Sequence, residues 1–371
     1  IGHREPKNAK AAAAQILFVL SSFSLLVAAV VVVGRHGILR GIFGSIDPDV
    51  MDYAETYFLL SALSYPFIGL YNAGAALFRA QGNSKISMLS SLVMNVINIG
   101  GNAVLIYGFG MGVLGAALAS LVSRAVACLV VLWLLQRPGC PLRVEGLKAL
   151  APNGSLIRRI LRVGIPAGIE NGMFQIGKLS VSSLTSTLGT AAIAANAVAN
   201  TASTFLNVPA NAVGMAALTV VGQCLGAGEK EQAMFYSRRL LLTAYCGAWV
   251  MNLSAFFFAN RMVVSLFHLS PEAQAMALEV MLWFNIVSLF FWPSSFTLPN
   301  ILRAAGDARF TMTVSIVSMW VFRVGFCYLY VLAFHGGLLA IWAGMFLDWV
   351  FRSLCFFVRF RRGRWMEQSI I

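Results

Sequence analysis

The sequence predicts an all-α polytopic membrane protein with ten transmembrane helices in two lobes that are parallel repeats. Of its 371 residues, 59% are hydrophobic and 11% are charged, whereas a soluble domain has roughly 45–50% and about 25%. Apolar runs of about 20 residues, the length that crosses a bilayer, recur along the whole chain. These runs lack the apolar/polar alternation of barrel strands, so helices are predicted.

Four predicted spans come first: 14–34, 54–78, 86–108 and 112–135. The first is an almost uninterrupted apolar run. The second contains Pro66, which removes a backbone donor and permits a kink. The third carries Asn95, Asn98 and Asn102 at helical spacing, and the fourth carries Arg124 near its middle. No acidic residue lies at the depth of Arg124 on a neighbouring span, so a cavity and a helix carbonyl both remain open as its environment.

Six predicted spans follow: 164–188, 193–221, 239–260, 278–301, 311–333 and 337–358. Pro166, near the start of the first of these, is interpreted as a helix break. Pro209, Pro293 and Pro299 lie inside later spans, where each is a predicted kink.

Positive charge is concentrated in alternate loops. Lys and Arg cluster within 4–10, 79–85, 137–162, 230–239, 303–309 and 359–364, whereas the opposite loops hold Arg35, Arg40 and Arg261. Because cytoplasmic loops are the basic ones, both ends of this chain are predicted to be cytoplasmic, in the plasma membrane of a prokaryote. Topology therefore explains the net charge of +13, and we expect no nucleic-acid partner.

The chain contains an internal repeat. A shift of 224 positions pairs Phe78–Lys85 with Leu302–Arg309, and matches such as Gly101 with Gly325 keep this register across four spans. Corresponding spans run in the same direction, which indicates parallel repeats about an axis along the membrane normal. The second copy begins with two additional spans. We therefore expect a parent fold of six plus six helices and a first lobe that lacks its first two.

The repeat and the charge pattern predict four segments of the chain. They are an incomplete N-terminal lobe of four helices at 1–137, a cytoplasmic linker at 138–160, a C-terminal lobe of six helices at 161–358 and a basic tail at 359–371. The linker begins directly after Arg137 with the helix-breaking run Pro138-Gly139-Cys140-Pro141.

Several segments, taken in order with the repeat, resemble the multidrug and toxic compound extrusion (MATE) transporters. They are Arg79-Ala80-Gln81-Gly82-Asn83, Asn95-Val96-Ile97-Asn98, Gly112-Val113-Leu114-Gly115, Gly164-Ile165-Pro166 with Glu170-Asn171, Leu188-Gly189-Thr190, Ala194-Ala195-Asn196 and Val221-Gly222-Gln223-Cys224-Leu225-Gly226. The resemblance implies two six-helix lobes around a central cavity, which export organic solutes in exchange for protons or sodium ions. The acidic residue that many relatives carry on their first helix falls before residue 1 in this alignment.

Glu170 and Lys178 lie on one predicted helix, beside the polar residues Asn171 and Gln175. An ionisable side chain inside a bilayer costs from about 2.5 to more than about 10 kcal/mol in different estimates, so each needs a partner or a function. These four residues form a candidate coupling or substrate site, in which the carboxylate binds a proton, sodium or a cationic solute. The alternative is that Glu170 only neutralises Lys178, and the sequence leaves both open.

Further polar residues occupy later spans. Arg323 and Asp348 lie near the middles of the last two spans, and their equal depth favours an ion pair between them. Asn196 and Asn200 belong to a stripe at helical spacing, for which interhelical hydrogen bonding is the simple interpretation. The resemblance implies that Asn98 and Asn196 line the cavity.

The predicted function is secondary antiport, in which a protein that is not an enzyme exports amphipathic or cationic organic compounds in exchange for H⁺ or Na⁺. A flippase for lipid-linked saccharides is the alternative, since Arg124, Lys178 and Arg323 would suit a pyrophosphate. A membrane-embedded prenyl-transfer enzyme is less favoured, because Mg²⁺ needs acidic clusters and the acid-rich stretch Asp47–Asp52 is interpreted as helix capping. We expect no metal site, no cofactor besides the coupling ion, a monomer, and small organic solutes and lipid as partners.

Overall fold

A computed structural model describes residues 6–43, 48–144 and 151–367 of the chain. Helices make up most of these ranges, and no strand occurs in them. Eight of the described helical segments are long and apolar enough to cross a bilayer. Large apolar side chains such as Val33, Ile99 and Phe258 are more than half exposed, as suits helices that contact lipid. The prediction of an all-α polytopic membrane protein is confirmed, while the count of ten spans stays a prediction.

Two compact units divide the described residues between Ile160 and Leu161. We refer to them as the N-terminal lobe and the C-terminal lobe. The predicted linker 138–160 and the predicted tail 359–371 include 145–150 and 368–371, which lie outside the described residues, as do Arg4 and Asp47. Residues 154–160 of the predicted linker are helical.

The described residues of the N-terminal lobe form five α-helices: α1 (Pro6–Phe43), α2 (Pro48–Leu63), α3 (Tyr65–Ala80), α4 (Ser84–Asn102) and α5 (Gly112–Gln136). A π-helical segment, Ala103–Gly108, continues α4. Helix α5 packs against α2, α3 and α4, and α1 packs against α2 and α3. At Gly74 of α3 an added Cβ would lie 2.2 Å from Cγ1 of Val131 on α5, so glycine permits this close helix contact.

The described residues of the C-terminal lobe form ten α-helices, the first of which begins in the residues assigned to the other unit. They are α6 (Gly154–Ser186), α7 (Thr190–Leu206), α8 (Val208–Gly226), α9 (Lys230–Ser254), α10 (Asn260–Leu266), α11 (Pro271–Phe296), α12 (Leu298–Ala304), α13 (Ala308–Ser318), α14 (Phe326–Phe334) and α15 (Leu338–Arg361). The π-helical segments Ala255–Ala259 and Met319–Gly325 join α9 to α10 and α13 to α14.

Helix α11 is central to the C-terminal lobe and packs against α7, α9 and α15. In its core, the ring of Phe284 meets Trp342 and Trp349 edge-on, with centroids 6.0 Å and 5.8 Å apart. Beyond α15 the side chain of Trp365 is fully buried and stacks on Phe360. Aromatic contacts between α11 and α15 therefore form part of the core of this lobe.

Three of the predicted kinks are helix breaks. Helices α2, α7 and α11 end three residues before Pro66, Pro209 and Pro299, and each proline occupies the first turn of the next helix. An N–H at that position has no acceptor within the helix, so its absence in proline costs no intrahelical hydrogen bond. Pro166 and Pro293 instead lie inside α6 and α11. The predicted break at Pro166 is therefore wrong, because the turns on both sides of this proline keep α6 continuous.

The repeated loops around Gly82 and Gly306 have the same backbone geometry. Both glycines have positive φ, +78° and +88°. Each donates its N–H to the carbonyl of the arginine three residues earlier, Arg79 or Arg303, over 2.8 Å and 2.9 Å. The next N–H donates to the carbonyl five residues earlier, over 2.9 Å and 3.0 Å, which completes a helix-ending turn that favours glycine. The turn places each arginine in the last turn of its helix.

Candidate functional site

One face of α6 carries Glu170, Phe174 and Lys178, which follow one another at intervals of four residues. Helix α6 closely approaches the π-helical segment Met319–Gly325, since a Cβ added at Gly177 would lie 2.4 Å from the Cε atom of Met319. This contact brings α6 beside Arg323 on the same segment. π-Helical turns are frequent at functional sites, where they change the direction of a side chain.

Glu170 is paired with Arg303. Nη2 of Arg303 donates to Oε1 of Glu170 over 2.5 Å, and Nη1 donates to Oδ1 of Asn300 over 3.0 Å. The Glu170 side chain is 7% exposed and that of Arg303 is 21% exposed. The second carboxylate oxygen, Oε2, is buried and has no hydrogen-bond partner among the residues that the structure describes. The alternative in which Glu170 neutralises Lys178 is therefore replaced by a pair between α6 and α12.

Three cations surround the ring of Phe174. Nζ of Lys178 lies 5.2 Å from the ring centroid, Cζ of Arg323 lies 5.3 Å from it, and Cζ of Arg352 lies 5.9 Å from it. A cation over an aromatic face gains about 0.5–2 kcal/mol, but the ring carries no charge that could neutralise it. This arrangement, which we call the Phe174 cluster, therefore concentrates positive charge beside α6.

Arg323 and Asp348 do not form the predicted ion pair. Oδ1 of Asp348 accepts a hydrogen bond from Oγ of Ser318 over 2.5 Å. Among the described residues, no side-chain nitrogen of Arg323 lies within 4.0 Å of a carboxylate oxygen of Asp348. Nε of Arg323 and Oδ2 of Asp348 are both buried without a hydrogen-bond partner. Equal depth brings two side chains together only where both helices keep α-helical geometry, whereas Arg323 lies in the π-helical segment and its guanidinium lies over the ring of Phe174.

A cavity of about 220 Å³ opens beside Lys178 and Arg323 within the C-terminal lobe. Its polar lining consists of Lys178, Ser182, Asn196, Asn200 and Arg323. Its apolar lining consists of Val181, Ile341, Trp342 and Met345. The structure thus brings three of the predicted site residues, Lys178, Asn196 and Asn200, together with Arg323 in one cavity that has a polar and an apolar side.

The amide of Asn196 has a fixed orientation in this cavity. Its Oδ1 accepts hydrogen bonds from Nε1 of Trp342 and from Nδ2 of Asn200, each over 3.0 Å. Because the oxygen is engaged by two donors, Nδ2 is the group of this amide that is left to donate to a solute. The polar side of the cavity is therefore rich in hydrogen-bond donors.

Three predicted site residues lie elsewhere. Asn171 and Gln175 are exposed on α6 and do not line the cavity, and Nδ2 of Asn171 donates to the carbonyl of Ala167 over 2.8 Å. Asn98 belongs to the N-terminal lobe, where its Nδ2 donates to Oγ of Ser120 over 3.2 Å. That bond joins α4 to α5, in line with the simple interpretation of the asparagine stripe.

Sequence reasoning missed three residues of the site. Arg303 was assigned to a loop, although it forms the ion pair with Glu170. Arg352 is fully enclosed by the C-terminal lobe, and its position four residues after Asp348 on one helix was a signal that could have identified it. Phe174 carried no signal, because an aromatic residue in an apolar helix is ordinary. Arg124 donates to Oγ of Ser64 over 2.5 Å, at the break between α2 and α3.

The model of one known protein family matches segments of this chain in both lobes. The MatE family model matches residues 1–104 and 166–329. The chain belongs to the MatE family. The family that the sequence motifs resemble is thereby confirmed, and MatE membership makes this chain a transporter and not an enzyme.

Relatives and solved structures agree with this assignment. The MatE chain is 27% identical over 345 residues to the probable multidrug resistance protein NorM of Thermotoga maritima, a match that covers 90% of this chain and 72% of that protein. It resembles an outward-facing multidrug resistance MATE family transporter of the MOP superfamily with a TM-score of 0.85 and 22% identity, over 98% of this chain and 80% of the other. It also resembles a MOP superfamily transporter from Pyrococcus furiosus, for which reverse polarity of the binding pocket suggests a different function, with a TM-score of 0.87 and 21% identity, over 99% and 82% of the two chains. The structural likenesses show the fold.

Proposed function

We propose that this MatE chain exports amphipathic or cationic organic compounds in exchange for H⁺ or Na⁺. The similarity to a probable multidrug resistance protein supports extrusion of drug-like solutes. The same similarity does not favour the flippase for lipid-linked saccharides. The residues in the C-terminal lobe provide a carboxylate for the coupling ion and a separate cavity for the solute.

The coupling role is proposed from one observation, the unequal partners of the two carboxylate oxygens of Glu170. One of its oxygens is engaged by Arg303, while Oε2 is buried and has no hydrogen-bond partner. A proton or sodium ion that binds at Oε2 removes or offsets the negative charge that holds Arg303. Ion binding and the contact between α6 and α12 are therefore linked, so that each changes the equilibrium of the other.

The solute cavity lies further along the same helix. Lys178 is eight residues from Glu170, which corresponds to about 12 Å along α6 at about 1.5 Å per residue. A displacement of α6 that follows the loss of the Glu170–Arg303 pair also moves Lys178 at the cavity. This shared helix gives a physical route by which ion binding alters solute binding.

The test is transport in liposomes that contain the purified chain, with a proton gradient and a sodium gradient imposed in separate experiments. We expect one of the two gradients to drive movement of rhodamine B, an amphipathic dye that carries both a cationic and an anionic group. Glu170→Gln keeps the shape of the side chain but removes its charge, so we expect gradient-driven movement to be lost. The control is Glu231→Gln, which changes an exposed carboxylate in the first turn of α9.

Size-exclusion chromatography and thermal unfolding establish that each variant is folded. Full gradient-driven transport by folded Glu170→Gln, or by the double variant Glu170→Gln with Arg303→Gln, would overturn the coupling role. In that case the Glu170–Arg303 pair has only a structural function.

A further inference from the structure

The Phe174 cluster has an excess of positive charge. Among the described residues, Glu170 pairs with Arg303, and Asp348, which already accepts a hydrogen bond from Ser318, attracts both Arg323 and Arg352. The cluster therefore holds more cations than carboxylates. Arg323 is 8% exposed and Arg352 is 3% exposed. Buried charges are costly unless they are paired. The cluster therefore favours an anion that comes from outside the chain.

Nitrogen atoms of these arginines also lack hydrogen-bond acceptors. Within the described part of the chain, Nε of Arg323, and Nε and Nη1 of Arg352, are buried without a hydrogen-bond partner. Guanidinium groups without an acceptor are rare in protein interiors, since each unsatisfied donor costs free energy. The aromatic rings nearby attract these cations but do not accept conventional hydrogen bonds.

The cavity beside the cluster has the composition that an amphipathic anion requires. Lys178 and Arg323 line one side, and no carboxylate is among the lining residues that the structure describes. Asn196 supplies an amide donor on the same side. The apolar side consists mainly of Ile341, Trp342 and Met345, which suit an aromatic or aliphatic body. A cationic group in this cavity would meet two like charges instead.

We propose that this cavity binds the anionic group of an amphipathic organic solute, a carboxylate, sulfonate or phosphate, with Lys178 and Arg323 as its charge partners. The inference rests on the proposed function, because it names the class of solute that the exporter takes at this site. Compounds with both charges place their anionic end here. A purely cationic compound does not use this cavity.

Binding of matched probes to the purified chain tests the charge preference. Isothermal titration calorimetry compares naphthalene-2-sulfonate, the neutral naphthalene-2-sulfonamide and the cation 2-naphthyltrimethylammonium, which share one ring system. We expect the sulfonate to bind at least about tenfold more tightly than the sulfonamide, because hydrogen bonds to a charged group are the stronger ones. Equal affinities for the sulfonate and sulfonamide, or tightest binding of the cation, would overturn the proposal.

Substitutions locate the binding site. Lys178→Gln, at an exposed position of α6, is expected to weaken sulfonate binding about tenfold and to weaken sulfonamide binding much less. Arg323→Gln should act in the same way, and Arg323→Lys should retain part of the affinity because it keeps the charge. The control is Lys230→Gln, which removes an exposed cation at the start of α9. Sulfonate binding that Lys178→Gln leaves unchanged would show that the anion binds elsewhere.

Two further experiments complete the test. One identifies the source of the bound anion, and the other tests this inference separately from the proposed export. In nanodiscs of phosphatidylcholine the sulfonate should bind as in detergent, and addition of phosphatidylglycerol should not compete. Competition would assign the anion site to a lipid headgroup and overturn the solute as its occupant. In liposomes, Lys178→Gln separates the two proposals. Gradient-driven rhodamine B transport that continues in this variant, together with sulfonate binding no tighter than sulfonamide binding, would refute this inference and leave the proposed export in place. Selective sulfonate binding by a chain that transports no probe along either gradient would support the anion site. The same result would overturn the proposed coupled export, on which the physiological role of the site depends.

Discussion

The pair between Glu170 and Arg303 predicts an asymmetric loss of stability. Removal of one member of a buried ion pair costs about 3–5 kcal/mol, mainly because the other charge is left without a partner. Glu170→Gln leaves Arg303, which is 21% exposed and keeps its hydrogen bond to Asn300. Arg303→Gln leaves Glu170, which is 7% exposed and then has neither oxygen paired.

The difference in exposure sets the expected magnitudes. Because Arg303 remains partly hydrated, we expect Glu170→Gln to lower the free energy of unfolding by about 1–2 kcal/mol, and Arg303→Gln to lower it by about 3–5 kcal/mol. For a lobe of this size each kcal/mol corresponds to about 2–4 °C in Tm. The double variant replaces the ions with two amides that can bond to each other, so its stability should return to within about 1 kcal/mol of the unmodified chain.

Thermal unfolding of the three variants in one detergent measures this cycle. Equal losses from both single variants, or a double variant no more stable than Arg303→Gln, would refute the reasoning.

Two other predictions concern the N-terminal lobe and the topology. Gly74→Ala should lower the free energy of unfolding by about 1–3 kcal/mol in thermal unfolding, because its Cβ would overlap Val131, a stiff β-branched side chain. Gly100→Ala, which meets nothing within 4 Å, should be neutral or stabilising by up to about 1 kcal/mol, and the reverse order would contradict the packing argument. A reporter fused after Glu367, beyond the buried Trp365, should be cytoplasmic, and one inserted near Ser45 should be external. Detection of both on one side would overturn the predicted spans.

The sequence predicted the helical membrane fold because apolar runs of this length are too long and too numerous to be buried inside a soluble domain, and a helix satisfies its backbone in lipid. It did not predict where the spans divide into shorter helices. Pro66, Pro209 and Pro299 occupy the first turn of a new helix, whereas Pro166 and Pro293 lie inside continuous ones. A proline can be accommodated in both ways, and the packing of neighbouring helices decides between them.

The site was predictable only in part. Lys178, Asn196 and Asn200 meet in one cavity as polar residues of neighbouring helices, and each stood out in an apolar span. The partner of Glu170 did not stand out, because Arg303 is 133 positions away along the chain and lies at the end of a helix. The predicted contact of Arg323 with Asp348 required α-helical geometry throughout, and a π-helical segment cannot be identified from hydropathy.

The central position of Phe174 has an evolutionary consequence. This neutral ring lies within 6 Å of three cations and on the same helical face as Glu170 and Lys178. A carboxylate in its place would neutralise much of the charge of the cluster and would remove the edge-on contact of the ring with Phe296 on α11. Within one lobe architecture, the charge of the accepted compound can therefore change through substitutions at a few positions on one helix. Exporters with the same fold can diverge in their chemical repertoire while their backbone stays the same.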